Sequence, residues 1–398
     1  MVAPQPTRVC VARDEVVVVG GGFAGLYTAL KLAGRNRRRR VRLIDSRERF
    51  CFLPLLYEYA CGEMGIEEVS VPFELALRGT GIAFERAEVS SLDLDSKEVS
   101  LKDGRILRGE ALVIALGKET VAPPGTVPFY RLEDATRVRA AKDWRKIAVV
   151  GGGYTGVELA CHLGTLGREV TLVHRGSTLV PLAQNRTREV ATEALRRSNV
   201  RVRLGAGVSE VRDDGAVALD SEVIIDGLDA VVWTAGSRLA GPVRDLDRRF
   251  KRRLEDDGPL GVDAALRVRA CDGVFALGDA AATPGPRLSP SAQTALQQAD
   301  VAAANLDAYL DGLEPVKNFN YLQLGELVSF APDDAAAAIL PGFLDGLAVL
   351  DGPVASLARR LVYAARMPTP NQRLVSFAGL AISEATKRRG PPPPPLFF

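Results

Sequence analysis

The sequence predicts an α/β protein in which two Rossmann-like dinucleotide-binding domains are followed by a C-terminal extension. The main observation is an internal duplication, because a glycine-rich turn between a β-branched strand and a helix occurs twice. A chain of 398 residues is long enough for two or three domains. Its 47% hydrophobic and 25% charged residues are ordinary for a globular protein, so each domain can bury a core.

The first glycine-rich turn follows a predicted strand at Val16–Val19. Its glycines have the spacing G-x-G-x-x-G and are Gly20, Gly22 and Gly25. The first glycine allows a tight turn, the second lets the backbone approach a pyrophosphate, and the third lets helix and strand pack closely. The helix that follows offers free N–H groups and the positive end of its dipole to phosphates.

An acid completes this first unit. The predicted strand Val41–Ile44 ends at Asp45, which follows Gly25 by 20 residues. A carboxylate at this position accepts hydrogen bonds from ribose hydroxyl groups. Strand, glycines, helix, strand and acid in this order predict a dinucleotide site, and the alternative is a glycine-rich turn of some other α/β protein.

The second unit repeats the strand, glycine-rich turn, helix and strand, but different residues follow its last strand. The strand Ile147–Val150 leads to Gly151, Gly153 and Gly156. The next strand, Val170–Val173, is followed by His174 and Arg175.

These two residues stand where the first unit has Asp45. A carboxylate would repel a 2′-phosphate, whereas an arginine can pair with it. Arg175 therefore favours NADPH over NADH. The alternative is that Arg175 is a solvated loop residue and that the pocket accepts either nucleotide.

Two dinucleotide sites in one chain indicate an electron relay. One site would hold a flavin permanently, and the other would admit and release a nicotinamide. A flavin accepts a hydride and can pass electrons on to a quinone.

The composition excludes several other kinds of site. The net charge of +2 indicates no nucleic-acid partner. The five cysteines form no C-x-x-C or C-x4-C pair, and nine residues separate Cys51 from Cys61, so no disulfide framework and no cysteine metal site is predicted. Two histidines are too few for a predicted zinc or non-haem iron site, so no metal is expected. No apolar run approaches the roughly 18 to 20 residues that span a bilayer.

Three segments resemble the two-dinucleotide-binding-domain flavoproteins: Val16–Gly25, Thr234–Gly236 and Val274–Asp279. The resemblance implies that FAD binds the first domain. It also implies that Gly278 and Asp279 bind the ribityl chain and phosphate, and that the chain returns to this domain at 115–117.

Within that superfamily the chain resembles the type II NAD(P)H:quinone dehydrogenases, in particular a plastid and phototroph branch that reduces plastoquinone-like and phylloquinone-type quinones. The segment Phe52–Glu58 resembles the family's Pro-Leu-Leu segment beside the flavin. Gln293 and Gln297 match the family's A-Q-x-A-x-Q quinone motif, and their i, i+4 spacing puts both on one side of a helix. Glu158 corresponds to the family's acid near the nicotinamide.

The two glycine-rich units and the resemblance together imply two sets of site residues. Quinone reduction would depend on Gln293, Gln297 and Glu158. The cofactor-binding residues would be Gly20, Gly22, Phe23, Ala24, Gly25, Asp45, Pro54, Leu55, Ala115, Gly117, Gly278, Asp279, Gly151, Gly153, Thr155, Gly156, His174, Arg175 and Gly236.

The expected domains follow from the order of the motifs. Residues 14–118 and 259–330 are the two parts of an FAD-binding domain, and residues 119–258 are an NAD(P)H-binding domain. Residues 331–398 form an amphipathic extension with a disordered, proline-rich tail at Pro391–Pro395.

A quinone with an isoprenoid tail resides in lipid, so a membrane surface is an expected partner. A predicted helix in the extension has an apolar stripe at helical spacing, with arginines beside it, as in an interfacial amphipathic helix. A helix that packs on the core or on a second copy in a homodimer is an equal alternative. The stripe comprises Val354, Leu357, Ala358, Leu361, Val362 and Ala365, and the arginines are Arg359, Arg360 and Arg366. The basic segments 35–40 and 248–253 either attract anionic lipid or are solvated loops.

The expected function is an FAD-dependent, non-proton-pumping NAD(P)H:quinone oxidoreductase. Its expected location is a peripheral membrane position: the plastid, at thylakoid or plastoglobule, in a eukaryote, or the cytoplasmic membrane face in a prokaryote. Residues 1–13 are either a targeting remnant or a frayed terminus. The alternatives are a soluble ferredoxin or rubredoxin reductase and a redox-sensing flavoprotein of the same fold.

Overall fold

A computed structural model describes residues 15–212, 215–221, 223–246, 258–286, 288, 291–339 and 349–389. The chain divides into two compact units. The first unit comprises Met1–Cys51, Pro72–Val121 and Gly236–Leu322, and the second comprises Phe52–Val71, Ala122–Ala235 and Gln323–Phe398. Three predictions lie outside the described residues: the terminus 1–13, the basic segment 248–253 and the tail 391–395.

A parallel five-stranded sheet forms the centre of the first unit. Val16–Val19 are fully buried, as expected for a β-branched strand covered on both faces. The register places Val16 opposite both Val41 and Ala111. The strand order is Val274–Ala276, Ala111–Ile114, Glu15–Val19, Arg40–Asp45 and Ala83–Arg86.

Two helices of this unit pack on each other, Phe23–Arg35 and Ala292–Leu310. Ion pairs extend the contact, since Lys31 Nζ lies 3.1 Å from Asp300 Oδ1 and Arg39 Nε lies 3.1 Å from Asp307 Oδ1. Arg39 is thus bound within the fold rather than available to a lipid surface.

The remaining elements of the first unit are short. The other helical segments are Phe73–Ala76, Gly241–Arg244 and a 3-10 turn at Gly278–Ala280. The other strands are Arg49–Cys51, Val89–Asp93, Glu98–Leu101, Ile106–Arg108, Lys118–Thr120, Ser237–Leu239, Leu260–Gly261 and Ala281–Ala282. The strand Ser70–Pro72 lies where the chain passes from the second unit to the first.

The second unit repeats the five-stranded parallel arrangement, which confirms the predicted duplication. The helix Tyr154–Thr165 follows its glycine-rich turn. The strand order is Val127–Pro128, Ala230–Trp233, Lys146–Val150, Glu169–His174 and Arg201–Leu204. A smaller antiparallel sheet comprises Val208–Val211, Val217–Leu219 and Ile224–Ile225. The other helices before residue 323 are Leu56–Ala60, Ile66–Val69, Leu132–Ala140, Asn185–Arg197 and a 3-10 turn at Leu53–Leu55.

The C-terminal part of the second unit is an antiparallel sheet with helices. Its strands are Gly325–Ala331, Asp334–Ile339 and Val349–Asp351, and its helices are Gly352–Ala365 and Pro370–Arg389. The first helix packs on the sheet through small residues, with Ala335, Ala337 and Ala355 forming a buried cluster. None of the described helices is both long enough and apolar enough to cross a membrane.

Residues 319–324, which precede this sheet, have no regular structure. The backbone of Leu322 is held by the side chain of Gln297 instead of by a neighbouring strand. Arg359, expected beside a lipid-facing stripe, is fully buried because it pairs with the buried Glu58.

Candidate functional site

The first glycine-rich turn contains glycines of two kinds. Gly20 has φ +102°, and a Cβ there would lie 2.4 Å from Ala115 O. A Cβ at Gly25 would lie 1.8 Å from Gly20 O. Both glycines are therefore required by the fold itself.

Gly22 differs from its neighbours. Its φ of −77° suits any residue, and a Cβ there would meet no atom within 4 Å. Nothing in the described chain requires a glycine at this position. The helix Phe23–Arg35 begins here, and no side-chain hydrogen bond from Gly22 caps it. Open space beside the N-terminus of a helix fits the pyrophosphate of a dinucleotide.

Asp45 lies beside the same turn. Its Oδ2 accepts a hydrogen bond of 2.6 Å from Gly21 N–H. Arg47 donates from Nε and Nη2 to the two carboxylate oxygens, at 2.9 and 2.7 Å. Burial opposes ionisation, but Arg47 and the backbone N–H groups outweigh it and hold the pKa of Asp45 below its usual value. The carboxylate is thus ionised and able to accept hydrogen bonds from a ribose.

The structure brings Gly278 and Asp279 to this turn. Gly278 has φ +63°, and a Cβ there would lie 3.3 Å from Ala24 Cβ. Burial raises the pKa of Asp279, and no described residue donates a hydrogen bond to its carboxylate. A half-buried acid without a donor fits a polar ligand.

Two further predicted residues of this site have local structural roles. Phe23 is buried and its ring packs edge-on against Phe50 at 5.2 Å. Gly117 has φ +66°, and therefore the chain can turn after the strand Ala111–Ile114. The Phe23 side chain is thus part of the core of the first unit.

The second glycine-rich turn reproduces the first. Gly151 has φ +123°, and a Cβ at Gly156 would lie 1.8 Å from Gly151 O. Gly153 has φ −79° and open space where a Cβ would stand. Thr155 is exposed in the first turn of the helix that follows. The second turn therefore has the same local geometry as the first.

His174 and Arg175 lie beside this second turn. A Cβ at Gly152 would lie 2.6 Å from the His174 ring. Burial, together with the charge of Arg175, lowers the pKa of His174, so the imidazole is neutral at pH 7. Arg175 is exposed and forms no ion pair with a described residue. It is available to an anionic group at the ribose position.

Thr234 closes the turn from behind, because its Oγ1 donates to Val150 O at 2.9 Å. Gly236, two residues later, has φ +68° and allows the chain to turn. Pro54 and Leu55 lie in the 3-10 turn of the second unit, where Leu55 is buried.

Glu158 lies in a buried polar cluster of the second unit. Its Oε1 accepts a hydrogen bond of 3.2 Å from Ser329 N–H, and Tyr57 hydrogen-bonds to its carboxylate. Burial raises the pKa of Glu158 to about 8. Arg359 Nη1 in turn donates to the Tyr57 hydroxyl at 3.2 Å, and its Nη2 lies 2.5 Å from Glu58 Oε1. Glu158 therefore holds a proton near neutral pH.

Gln293 and Gln297 lie on one face of the helix Ala292–Leu310, as predicted. Gln293 Nε2 donates to Tyr321 OH at 3.0 Å and to Leu322 O at 3.2 Å. Gln297 donates to Leu322 O at 2.8 Å and accepts from Leu322 N–H at 3.0 Å. Both amides are thus fixed in orientation.

Residues 14–304 match the sequence profile of the pyridine nucleotide-disulphide oxidoreductases. The chain belongs to this family. It is 35% identical to a demethylphylloquinone reductase, NdbB, of Synechocystis sp., over 91% of this chain and 94% of that protein. It is 32% identical to the alternative NAD(P)H-ubiquinone oxidoreductase C1, chloroplastic/mitochondrial, of Arabidopsis thaliana, over 91% of this chain and 79% of that protein.

These relatives confirm the resemblance to type II quinone oxidoreductases that the motifs indicated. Solved structures confirm the fold of this oxidoreductase. NDH2 from Plasmodium falciparum, in complex with NADH, superposes with a TM-score of 0.80 at 15% identity, covering 94% of this chain and 98% of that one. A putidaredoxin reductase shares the fold at a TM-score of 0.68 and 23% identity, covering 84% and 83% of the two chains.

In this pyridine nucleotide-disulphide oxidoreductase, no disulfide bond joins any of the four described cysteines. Burial raises the pKa of the Cys61 thiol well above its usual range, which makes it a poor nucleophile. Among the described residues, no cluster of His, Cys, Asp or Glu side chains could hold a metal ion.

Several residues of the site were missed by sequence reasoning. Gln298 is buried and its Oε1 accepts from Gly278 N–H at 2.6 Å, which fixes the Gly-Asp turn. Arg47 neutralises Asp45, and Arg359 neutralises Glu58. Of these residues, only Arg47 could have been found from the sequence, because it stands two residues after Asp45.

Proposed function

We propose that this oxidoreductase oxidises NADPH or NADH and reduces a membrane quinone, with FAD as its resident cofactor. FAD, when bound, supplies a hydride acceptor that can release two electrons to a quinone. The observation that carries the proposal is the open space beside Gly22 and Gly153, where a Cβ would meet no atom although the fold requires a glycine at neither position. We call these two spaces the first and the second cradle. The named activities of the relatives support the same reaction.

In this proposal the first cradle holds the diphosphate of FAD. The N–H groups that begin Phe23–Arg35 bind its oxygens, and ionised Asp45 accepts hydrogen bonds from the adenosine ribose. Asp279, whose pKa is raised by burial, lies where it can meet the ribityl chain or phosphate. Gln298 keeps the backbone of Gly278 in place for this contact.

The second cradle binds the nicotinamide cofactor. Neutral His174 places no negative charge at the ribose position, and exposed Arg175 can pair with a 2′-phosphate. NADPH is therefore the preferred donor in our proposal, with NADH as the weaker one.

Gln297 is the better placed of the two glutamines to bind a quinone carbonyl. A primary amide has two N–H donors. Gln297 donates one of them to Leu322 O, and the second has no acceptor in the described part of the chain. Gln293 already donates to both Tyr321 and Leu322, so it orients the segment that Gln297 also holds.

The purified protein is expected to be yellow and to oxidise NADPH faster than NADH with a short-chain quinone.

Arg175→Ala should raise the KM for NADPH about tenfold, which corresponds to the loss of one charge-assisted hydrogen bond, and should change the KM for NADH little. Steady-state assays with both nucleotides, and with ferredoxin as an alternative acceptor, measure these effects. Arg196→Ala, an exposed arginine of the same unit, is the control. Equal effects on both nucleotides would remove the argument for Arg175, and turnover with ferredoxin alone would exclude quinone as the acceptor.

The helix Gly352–Ala365 carries the proposed contact with a membrane. Val354, Leu357 and Leu361 are 64%, 40% and 44% exposed and share one helical face. Leu374, Val375 and Phe377 in the next helix are also exposed. An apolar face of this kind suits peripheral attachment to lipid, at a plastid membrane or at the cytoplasmic face of a bacterial membrane.

The double substitution Leu357→Glu and Leu361→Glu is expected to weaken vesicle binding at least about tenfold. Each change puts a charge where an apolar side chain would be buried in the lipid. Co-sedimentation with anionic vesicles measures this, and reduction of a short-chain, water-soluble quinone should be unchanged. Leu182→Glu, at another exposed leucine, is the control. Unchanged sedimentation of the double variant would contradict a lipid-facing helix.

A further inference from the structure

The carboxylate of Asp45 has its hydrogen-bond acceptor sites filled by donors of the first unit. Its Oδ1 accepts from the backbone N–H of Arg47 at 2.8 Å and from Arg47 Nε at 2.9 Å. Its Oδ2 accepts from Gly21 N–H at 2.6 Å and from Arg47 Nη2 at 2.7 Å. A carboxylate offers about four lone-pair sites. These donors therefore leave no site for a further hydrogen bond.

A dinucleotide needs two of those sites. Its adenosine ribose carries adjacent 2′ and 3′ hydroxyl groups, and the acid that ends the second strand of such a unit accepts hydrogen bonds from them. Asp45 ends the strand Arg40–Asp45 and stands at this position. It can accept from a ribose only if two of its present donors leave.

Two of the four donors are fixed by the backbone. Gly21 is buried in the glycine-rich turn, and Gly20 beside it is tied to the sheet because its N–H donates to Ile44 O at 2.8 Å. The N–H of Arg47 belongs to the tight turn that directly follows Asp45. Removing either donor would require the turns themselves to open.

The Arg47 guanidinium is the donor group that can leave. The Arg47 side chain is 34% exposed, whereas that of Asp45 is 6% exposed. An arginine that reaches solvent changes rotamer in nanoseconds or less without any movement of the backbone. An ion pair with one solvent-exposed partner is also weak, because water replaces much of what is lost.

The guanidinium and the ribose offer the same pattern of donors. Nε and Nη2 of Arg47 form a two-pronged contact, with one hydrogen bond to each carboxylate oxygen. Two adjacent hydroxyl groups can likewise donate one hydrogen bond to each oxygen. Exchange of one group for the other leaves the number of hydrogen bonds to Asp45 unchanged.

We propose that the Arg47 guanidinium is an internal competitor of the adenosine ribose, which occupies two acceptor sites of Asp45 and yields them when FAD binds. The inference rests on the proposed function, since it takes FAD as the occupant of the first cradle. The backbone hydrogen bonds from Gly21 and Arg47 hold the carboxylate in place in both arrangements. FAD binding must then displace a bonded side chain, and the affinity for FAD is lower than an open carboxylate would give.

Arg47→Met tests the competition by the sign of its effect. Methionine keeps an apolar side chain of similar length but donates no hydrogen bond. The variant should bind FAD about tenfold more tightly than the wild type, the scale of one hydrogen bond to a charged group. Fluorescence titration of the full-length, cofactor-free protein with FAD measures the affinity. Burial opposes the charge of Asp45 once the arginine is gone, so the titration is made at pH 8 to keep the carboxyl ionised.

Arg86→Met is the matched control for the loss of charge. Arg86 lies opposite Asp45 in the register of the neighbouring strand, and its Nη1 pairs with Glu48 Oε2 at 3.2 Å. This variant removes the same charge from beside the same acid but frees no acceptor site on Asp45. It should bind FAD no more tightly than the wild type.

An FAD analogue built on 2′,3′-dideoxyadenosine separates competition from other effects of the variant. This analogue has no ribose hydroxyl groups at the adenosine end, so it gains nothing when the guanidinium is absent. Arg47→Met should therefore bind the analogue with the wild-type affinity, and the tenfold gain should be confined to FAD.

A further measurement uses the wild-type protein and does not depend on how the methionine variant folds. Nitrogen-15 spectra report the Nε–H of Arg47, which is assigned by its absence from the spectrum of Arg47→Lys. In the cofactor-free protein this N–H is bound to Asp45 and should be protected from exchange with solvent. Addition of FAD should make the exchange at least about tenfold faster, because the hydrogen bond to Asp45 is lost.

The outcomes distinguish the two proposals. Wild-type protein that takes up no FAD overturns the proposed function and the competition with it. FAD uptake that Arg47→Met weakens or leaves unchanged overturns the competition alone, and so does an Arg47 Nε–H that stays protected after FAD is bound.

Discussion

Gly22→Ala is expected to weaken retention of FAD while it leaves the stability of the cofactor-free protein unchanged. The added Cβ meets no atom of the described chain and φ is already suitable for alanine, so folding has no reason to suffer. The same Cβ would stand where the diphosphate must approach the backbone, and we expect FAD affinity to fall at least about tenfold. Flavin absorbance after gel filtration and thermal unfolding without FAD measure the two effects.

The same helix provides both controls. Gly25→Ala places a Cβ 1.8 Å from Gly20 O and should destabilise the fold by several kcal/mol, on the order of ~3 or more. Gly34→Ala meets open space inside the helix and should stabilise by roughly 0.4–1 kcal/mol without any effect on FAD. Full FAD retention by the Gly22 variant would show that the open space is not the cradle.

Gly153→Ala should produce the complementary result. The variant is expected to retain FAD and to lose reduction by NADPH, because its Cβ would enter the second cradle. A loss of FAD instead would reverse the assignment of the two cradles.

Arg359→Met is expected to destabilise the protein by about 3–5 kcal/mol, the usual cost of leaving one charge of a buried pair without its partner. Arg359 and Glu58 are both fully buried, with Nη2 and Oε1 2.5 Å apart. Glu58→Gln should be similarly costly. The double variant should lose much less than the sum of the two single losses, because the fully buried pair is then removed together and only Arg360, which is 10% exposed, loses a carboxylate neighbour.

Urea unfolding of the four proteins in this cycle gives the coupling energy. The exposed pair Arg186 and Glu189 is the control, with side chains 59% and 66% exposed, and its removal should change stability by less than about 0.5 kcal/mol. Additive losses for Arg359 and Glu58 would show that the pair contributes no coupling.

The two β-α-β units were predicted from sequence almost to the residue. The predicted strand Val16–Val19 occurs at Glu15–Val19, and Ile147–Val150 occurs at Lys146–Val150. The reason is that β-branched strands and G-x-G-x-x-G turns are local signals, and their residues are adjacent in the chain. The helix expected to carry Gln293 and Gln297 is present as Ala292–Leu310.

Sequence reasoning failed where a partner is distant in the chain. The helical pattern predicted that Arg359 lies on the surface. In the structure it pairs with Glu58, which is some 300 residues away in sequence. Sequence periodicity cannot reveal such a pair. The ring nitrogens of His162 contact Glu63 and Ser329, which are 99 and 167 residues away in sequence. The cradles were thus predictable, and the polar network around Glu158 was not.

The strand Gly325–Ala331 limits how the protein can be shortened for study. It supplies the N–H that Glu158 binds, and the helix after it supplies the guanidinium that Glu58 requires. Trimming the C-terminus to obtain a detergent-free sample would leave two carboxyl groups without their partners in the remaining interior. Surface redesign of Leu357 and Leu361 on the intact chain is therefore the sounder route to a soluble preparation that keeps its chemistry.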